Sequence, residues 1–191
     1  MSTLFGCTGD RPCPSFEQNI PAIQSMPAGA LSVQSDSLSD SKMIPARYTC
    51  DGENISPDIR WKWKMTLPNI QSYAVLVTSD EWYGVNLGIN PSAVDQSHWV
   101  VFNIPPTITA LEEGVSINGS NGTELRKYQG PRCSMITKNK TAGSTYAFTV
   151  YALSAALDPS KIQTKDDLIV AMQGHIVASG TITKTYAPQQ K

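Results

Sequence analysis

The hydrophobic pattern of the chain is that of strands. "YAVLV" (73–77) is apolar at every position, as in a strand covered on both faces. "HWVVFNI" (98–104) has the same character and stops at Pro105-Pro106. "TYAFTVYAL" (145–153) alternates instead: Tyr146, Phe148 and Val150 share one face, and Ala147, Thr149 and Tyr151 the other. "HIVASGTITKTY" (175–186) sets Ile176, Ala178, Gly180 and Ile182 against Val177, Ser179, Thr181 and Thr183. "LSVQSDSL" (31–38) fits a first strand, and Trp61 and Trp63 alternate so that one of them belongs in a core. Segments rich in Gly, Pro, Asn and Ser separate these runs at 83–97 and 105–144. The second of them is long enough for an extra hairpin, a dimer contact or a mobile loop.

Only one helix is expected. Thr164 can cap a first turn that contains Asp166 and Asp167, close to the positive end of the helix. Leu168, Ile169 and Met172 then make an apolar stripe at helical spacing, and Gly174 suits a left-handed terminus. "DPSKI" (158–162) adds a short helical turn. Many strands with one or two short C-terminal helices predict an all-β-dominated domain, a sandwich of two antiparallel sheets. The expected organisation is an extended arm over 1–29, broken by Pro12, Pro14, Pro21 and Pro27, a sandwich domain over 30–187, and a tail over 188–191.

Composition narrows the function classes. At 191 residues the chain holds one domain with a full core. A net charge of -1 gives no field for nucleic acid or an anionic membrane. No apolar run approaches the roughly 18 residues that cross a bilayer. The N-terminus lacks the basic start and apolar stretch of a signal peptide, so the expected compartment is the cytoplasm. A periplasmic or secreted location is the alternative, should a signal precede this sequence. The four cysteines, Cys7, Cys13, Cys50 and Cys133, include no Cys-x-x-Cys pair, and only two histidines accompany them. Neither a zinc site nor any cofactor is expected. Reduced thiols are the favoured state, with one or two disulfides of open pairing as the alternative.

"CDGENISPDIRW" (50–61) has too many breakers for a helix and too many polar residues for a buried strand. Gly52 permits a turn, Asp51, Asn54 and Ser56 can bond neighbouring backbone N–H groups, Pro57 fixes the exit, and Trp61 anchors it. This loop is expected to shape the fold rather than touch a ligand.

"YTCDGENISPDIRW" (48–61), "SHWVVFNIP" (97–105), "YQGP" (128–131), "YAFTVYAL" (146–153) and "LIVAMQGHIVASGTITKTY" (168–186) occur in that order. Together they resemble the phosphatidylethanolamine-binding protein family, in its bacterial and archaeal Raf-kinase-inhibitor-like branch. The resemblance implies a small pocket for an anion such as a phosphate head group. It is built from an acidic loop, a strand-opening His, a Gly-Pro loop and a His-x-Tyr. Here His98 takes the strand-opening position, Gly130 and Pro131 the Gly-Pro loop, and Tyr146 the Tyr position. The acidic loop reads "TSDEWYG" (78–84): Ser79 and Glu81 replace its two aspartates, Asp80 its proline, and Trp82 adds bulk. Ser144 stands where the later His belongs, and Arg132 follows Pro131 and offers a compensating guanidinium.

The function expected from this is a non-enzymatic binding protein. Its ligand would be a phosphorylated small molecule or a phosphorylated protein segment, and its role the inhibition of a kinase-signalling or protease target. The rivals are a protein-interaction module with a vestigial pocket, and a weak hydrolase using His98 with Asp80 or Glu81. No nucleic-acid partner or transmembrane segment is expected, and a homodimer is compatible with the sequence. His175, after the helix, is expected to be structural, and Cys133 is not expected to act as a nucleophile.

Overall fold

A computed structural model describes residues 29–65, 69–80, 96–132 and 144–187. Residues 1–28 of the expected arm and the tail (188–191) thus lie outside it. Among the described residues, eight strands form two antiparallel sheets. β1 (Leu31–Gln34), β2 (Ile59–Trp63) and β5 (Ala110–Leu111) make the smaller, in the order β1-β2-β5. β3 (Ser72–Ser79), β4 (Ser97–Ile104), β6 (Thr123–Arg126), β7 (Ser144–Leu153) and β8 (Ile176–Tyr186) make the larger, in the order β6-β4-β3-β7-β8. The sandwich is as expected, and so is the one α-helix among the described residues, α1 (Lys165–Met172).

The continuous apolar runs are explained by burial on both faces. Tyr73, Val75 and Val77 of β3 pack with Leu31, Ile59, Trp61 and Leu111 of the smaller sheet. Ala74 and Leu76 point the other way, to Leu168 and Met172 of α1. β7 divides in the same manner, with Phe148 and Val150 toward the smaller sheet and Tyr151 and Leu153 toward the helix. Burial there pushes the Tyr151 hydroxyl up to about 12. Of the two alternating tryptophans, Trp61 is the core residue, and Trp63 is half-buried and donates to the Tyr73 hydroxyl at 3.0 Å.

Three expectations change. The first strand ends at Gln34 rather than at 38, because the Asp58 carboxylate accepts from the N–H groups of Asp36 (3.1 Å) and Ser37 (2.9 Å) and from the Ser35 hydroxyl (3.1 Å), curling the chain into a turn. On β8, Ile176 leaves the face of Ala178 and Ile182 and joins the helix-side cluster. A register shift between Ala152–Ala178 and Leu153–Ile176 takes up the extra residue and reverses the alternation. The 105–144 stretch is not a separate hairpin where it is described: it gives β5 to one sheet and β6 to the other.

The helix is capped as its sequence implies. The Thr164 hydroxyl accepts from Asp167 N–H (3.1 Å), and the Asp167 carboxylate accepts from Thr164 N–H (2.9 Å). Gly174 is left-handed (φ 76). His175 is exposed, and its backbone joins the helix end to Ser154, as a structural role requires. The helix covers the face of the larger sheet turned away from the smaller one. The strands of the larger sheet have one end where β3 begins and β4 and β7 finish, and a second where β3 finishes and β4 and β7 begin.

Candidate functional site

That second end carries Ser79, His98 and Tyr146, all buried. Tyr146 stands directly opposite Ser79 in the β3–β7 ladder. His98 reaches them through a bulge. Strict alternation along β4 groups it with Val100 and Phe102, which face the helix. Between the pairs Val77–Trp99 and Thr78–Ser97 the register shifts, His98 becomes the extra residue, and its ring turns to Ser79 and Tyr146. Its Nε2 lies 2.9 Å from Ser79 Oγ, and the ring centroid lies 4.9 Å from that of Tyr146.

The other ring nitrogen is fixed by the backbone. Nδ1 lies 2.7 Å from the Gln129 carbonyl, which can only accept, so Nδ1 carries a proton. Nε2 of the neutral ring is therefore an acceptor for the Ser79 hydroxyl. Gln129 N–H donates in turn to the His98 carbonyl at 2.7 Å. Tyr146 differs from its neighbours: its hydroxyl is buried and has no hydrogen-bond partner among the described residues.

The loop around Cys50 holds this arrangement from outside. Asn54 Oδ1 accepts from Gly130 N–H (2.8 Å), the Pro131 carbonyl from Cys50 N–H (3.1 Å), and the Tyr48 carbonyl from the Tyr128 hydroxyl (2.8 Å). A Cβ at Gly130 would overlap the Tyr48 carbonyl, so glycine is required there by close approach. The Asp51 carboxylate accepts from the Tyr186 hydroxyl at 2.6 Å. The loop does shape the fold, but Asn54 and Asp51 bind distant partners instead of neighbouring N–H groups. Burial, and then the nearby Tyr48, push the Tyr128 hydroxyl well above its ordinary value.

The expectation of reduced thiols does not hold for Cys50, which is disulfide-bonded. The loop folds onto the 128–131 segment and β8 and so fixes where Cys50 lies, a placement that spacing in the sequence does not encode. Cys7, Cys13 and Cys133 lie outside the described residues.

The remaining site candidates divide. Gly130 and Pro131 lie beside His98, through Gln129. Ser144 opens β7 opposite Tyr186 and is half-buried. Arg132 follows Pro131 and is also half-buried. Asp80 is exposed, and its carboxylate accepts from Thr145 N–H at 2.6 Å, which ties the end of β3 to β7. Glu81 and Trp82 lie outside the described residues. Sequence reasoning missed Gln129 and Asn54 as the groups that orient the site. The string "YQGP" pointed at the first, and nothing local pointed at the second. Among the described residues there is no group of three or more potential metal ligands, and no helix is long and apolar enough to cross a membrane.

A sandwich whose strand-opening His meets a Gly-Pro loop and a buried Tyr defines a class. The sequence profile of the phosphatidylethanolamine-binding protein family matches residues 34–187, and the chain belongs to that family. A UPF0098 protein of Methanothermobacter thermautotrophicus is 32% identical over 167 residues, covering 82% of this chain and 98% of its own. A UPF0098 protein of Chlamydia trachomatis is 29% identical, with the same coverage. Among solved structures, a phosphatidylethanolamine-binding protein homologue from Chlamydia trachomatis superposes with a TM-score of 0.63 at 25% identity, over 85% of this chain and all of its own. E. coli YbcL, described as a member of the mammalian PEBP family, gives 0.65 at 18% identity over 84% of this chain and 99% of its own, which is a likeness of fold.

Proposed function

We propose that the chain is a non-enzymatic binding protein whose ligand is an oxyanion, a phosphate head group or a phosphorylated side chain, held at the Ser79–His98–Tyr146 end of the larger sheet. The observation that carries this is the Tyr146 hydroxyl, buried against the imidazole with its donor unused among the described residues. Leaving such a group unpaired costs about 1–3 kcal/mol, and a ligand oxygen beside it offsets that cost. His98 adds a switchable donor. Once protonated at Nε2, it donates to Ser79 Oγ and turns the serine hydroxyl outward to the anion. Gly130 and Pro131 follow Gln129, whose carbonyl holds the imidazole, with Arg132 next in the chain.

A second reading, a protein-interaction module with a vestigial pocket, is favoured by one observation. Ser79 and His98 already satisfy each other and are buried without a ligand. An NMR titration with inorganic phosphate and with phosphoethanolamine, beside His98→Ala, separates the two. Saturating shifts at Ser79, His98, Tyr146 and 130–132 that vanish in the variant support the anion site. Absence of shifts at millimolar ligand supports the vestigial pocket, with a kinase-signalling or protease target as the partner to seek. The Cys50 disulfide favours an oxidising compartment over the cytoplasm.

A further inference from the structure

Ser79, His98 and the Gln129 carbonyl stand in the order of a nucleophile, a general base and the group that orients the base. Ser79 Oγ is 2.9 Å from Nε2, and Nδ1 is 2.7 Å from the carbonyl oxygen. Both fall within the reach that nucleophile activation requires. The carbonyl performs the orienting part of the third member's work. It fixes the proton on Nδ1 and leaves the Nε2 lone pair toward the serine. It lacks a carboxylate's full charge, so the imidazolium that forms is less stabilised and the chemistry is slower. Asp80 does not take this role, because its carboxylate is bound to Thr145 N–H. Tyr146 completes the set. It faces Ser79 across the ladder, its ring lies 4.9 Å from that of His98, and it carries a buried O–H donor with no partner among the described residues, the donor that an oxyanion on a Ser79 adduct would call on.

The geometry points to Ser79 as an acyl-accepting nucleophile that reacts with small activated esters. Ser79 Oγ attacks the ester carbonyl, and its proton passes to His98 Nε2. The tetrahedral oxygen accepts from the Tyr146 hydroxyl. Collapse breaks the bond to the leaving alkoxide or phenolate, which takes the proton back from Nε2–H, and leaves acyl-Ser79 and free alcohol. Water later cleaves the acyl ester with His98 as base, releasing a carboxylic acid. Because Ser79 and His98 are both almost fully buried, at 2% and 1% exposure, the acyl group must be small and water reaches the adduct slowly. The expected behaviour is therefore one acylation per chain followed by slow release, a covalent capture rather than fast turnover. This inference does not rest on anion binding, and the phosphate titration can fail without affecting it.

The test uses the full chain and p-nitrophenyl acetate. Expected is a burst of nitrophenolate stoichiometric with protein, with the acetyl group mapped to Ser79 by peptide mass spectrometry. His98→Gln should slow the burst about 10²-fold or more. Tyr146→Phe, which preserves shape, should slow it about 10²-fold while the label stays on Ser79. Ser79→Ala should abolish it, with near-ultraviolet circular dichroism confirming the fold. Absence of a burst, or acetyl groups only on lysines or other residues of the wild-type chain, would overturn the inference without reference to any variant.

Discussion

Two buried polar clusters, one at Asp58 and one at His98, are built from similar groups and end differently. Asp58 is fully engaged: two backbone N–H groups and a serine hydroxyl donate to it, and Arg60 Nε lies 3.7 Å away. Burial alone would raise its carboxyl, but the donors from Ser37, Asp36 and Ser35 outweigh that and hold it below the ordinary carboxylate value. The His98 cluster also satisfies its imidazole at both nitrogens, yet leaves the Tyr146 hydroxyl over. A cluster that closes on itself is scaffold, since every polar group is already paired. A cluster with a buried donor left over, beside a titratable ring, has room in its hydrogen bonding for an outside atom.

The sharpest contrast comes from truncating each cluster. Asp58→Ala strands the donors of Asp36, Ser37 and Ser35 and should cost about 3 kcal/mol, read from urea denaturation. Gly130→Ala forces a Cβ into the Tyr48 carbonyl and should cost about 2 kcal/mol. Because Gly130 adjoins Gln129, the His98 ring resonances should shift with it. The pH dependence follows from Asp58 itself. Its folded value lies below the unfolded one, so the unfolded chain takes up the proton first as the pH falls. Its stabilisation is complete above the ordinary aspartate value, about 3.9, and is lost as the pH falls through the lower folded value. Denaturation midpoints between about pH 6 and pH 3 should fall less steeply in Asp58→Asn. Thr164→Ala, which removes the helix cap, should cost about 1 kcal/mol by the same measurement. Tyr146→Phe should be the one change that does not destabilise: it gives up no partner and removes a buried unpaired hydroxyl, so stability should hold or rise by about 1 kcal/mol.

Much of this fold was legible in the sequence because it rests on periodicity. The doubly apolar runs at 73–77 and 98–104 do lie in strands covered on both sides, and Thr164 with Asp167 does cap the helix. What was hidden depends on register and on contacts across the chain. No alternation rule shows that a bulge re-aims His98, that another moves Ile176 to the helix side, or that Asp58 cuts the first strand short. The site was legible in part. His98, Tyr146, Gly130 and Ser79 are brought together, and those positions were marked by the family resemblance rather than by pattern. Gln129 acts through its backbone carbonyl and Asn54 across 76 positions of sequence, so neither left a local trace.

The most direct test of the leftover donor is the affinity for inorganic phosphate of the wild type and of Tyr146→Phe, measured by NMR titration on fully folded samples. Binding about tenfold weaker in the variant, with stability no lower than that of the wild type, is expected if the buried hydroxyl serves the ligand. Equal affinity in the two proteins, or an absence of binding in both, would contradict the anion site at Tyr146.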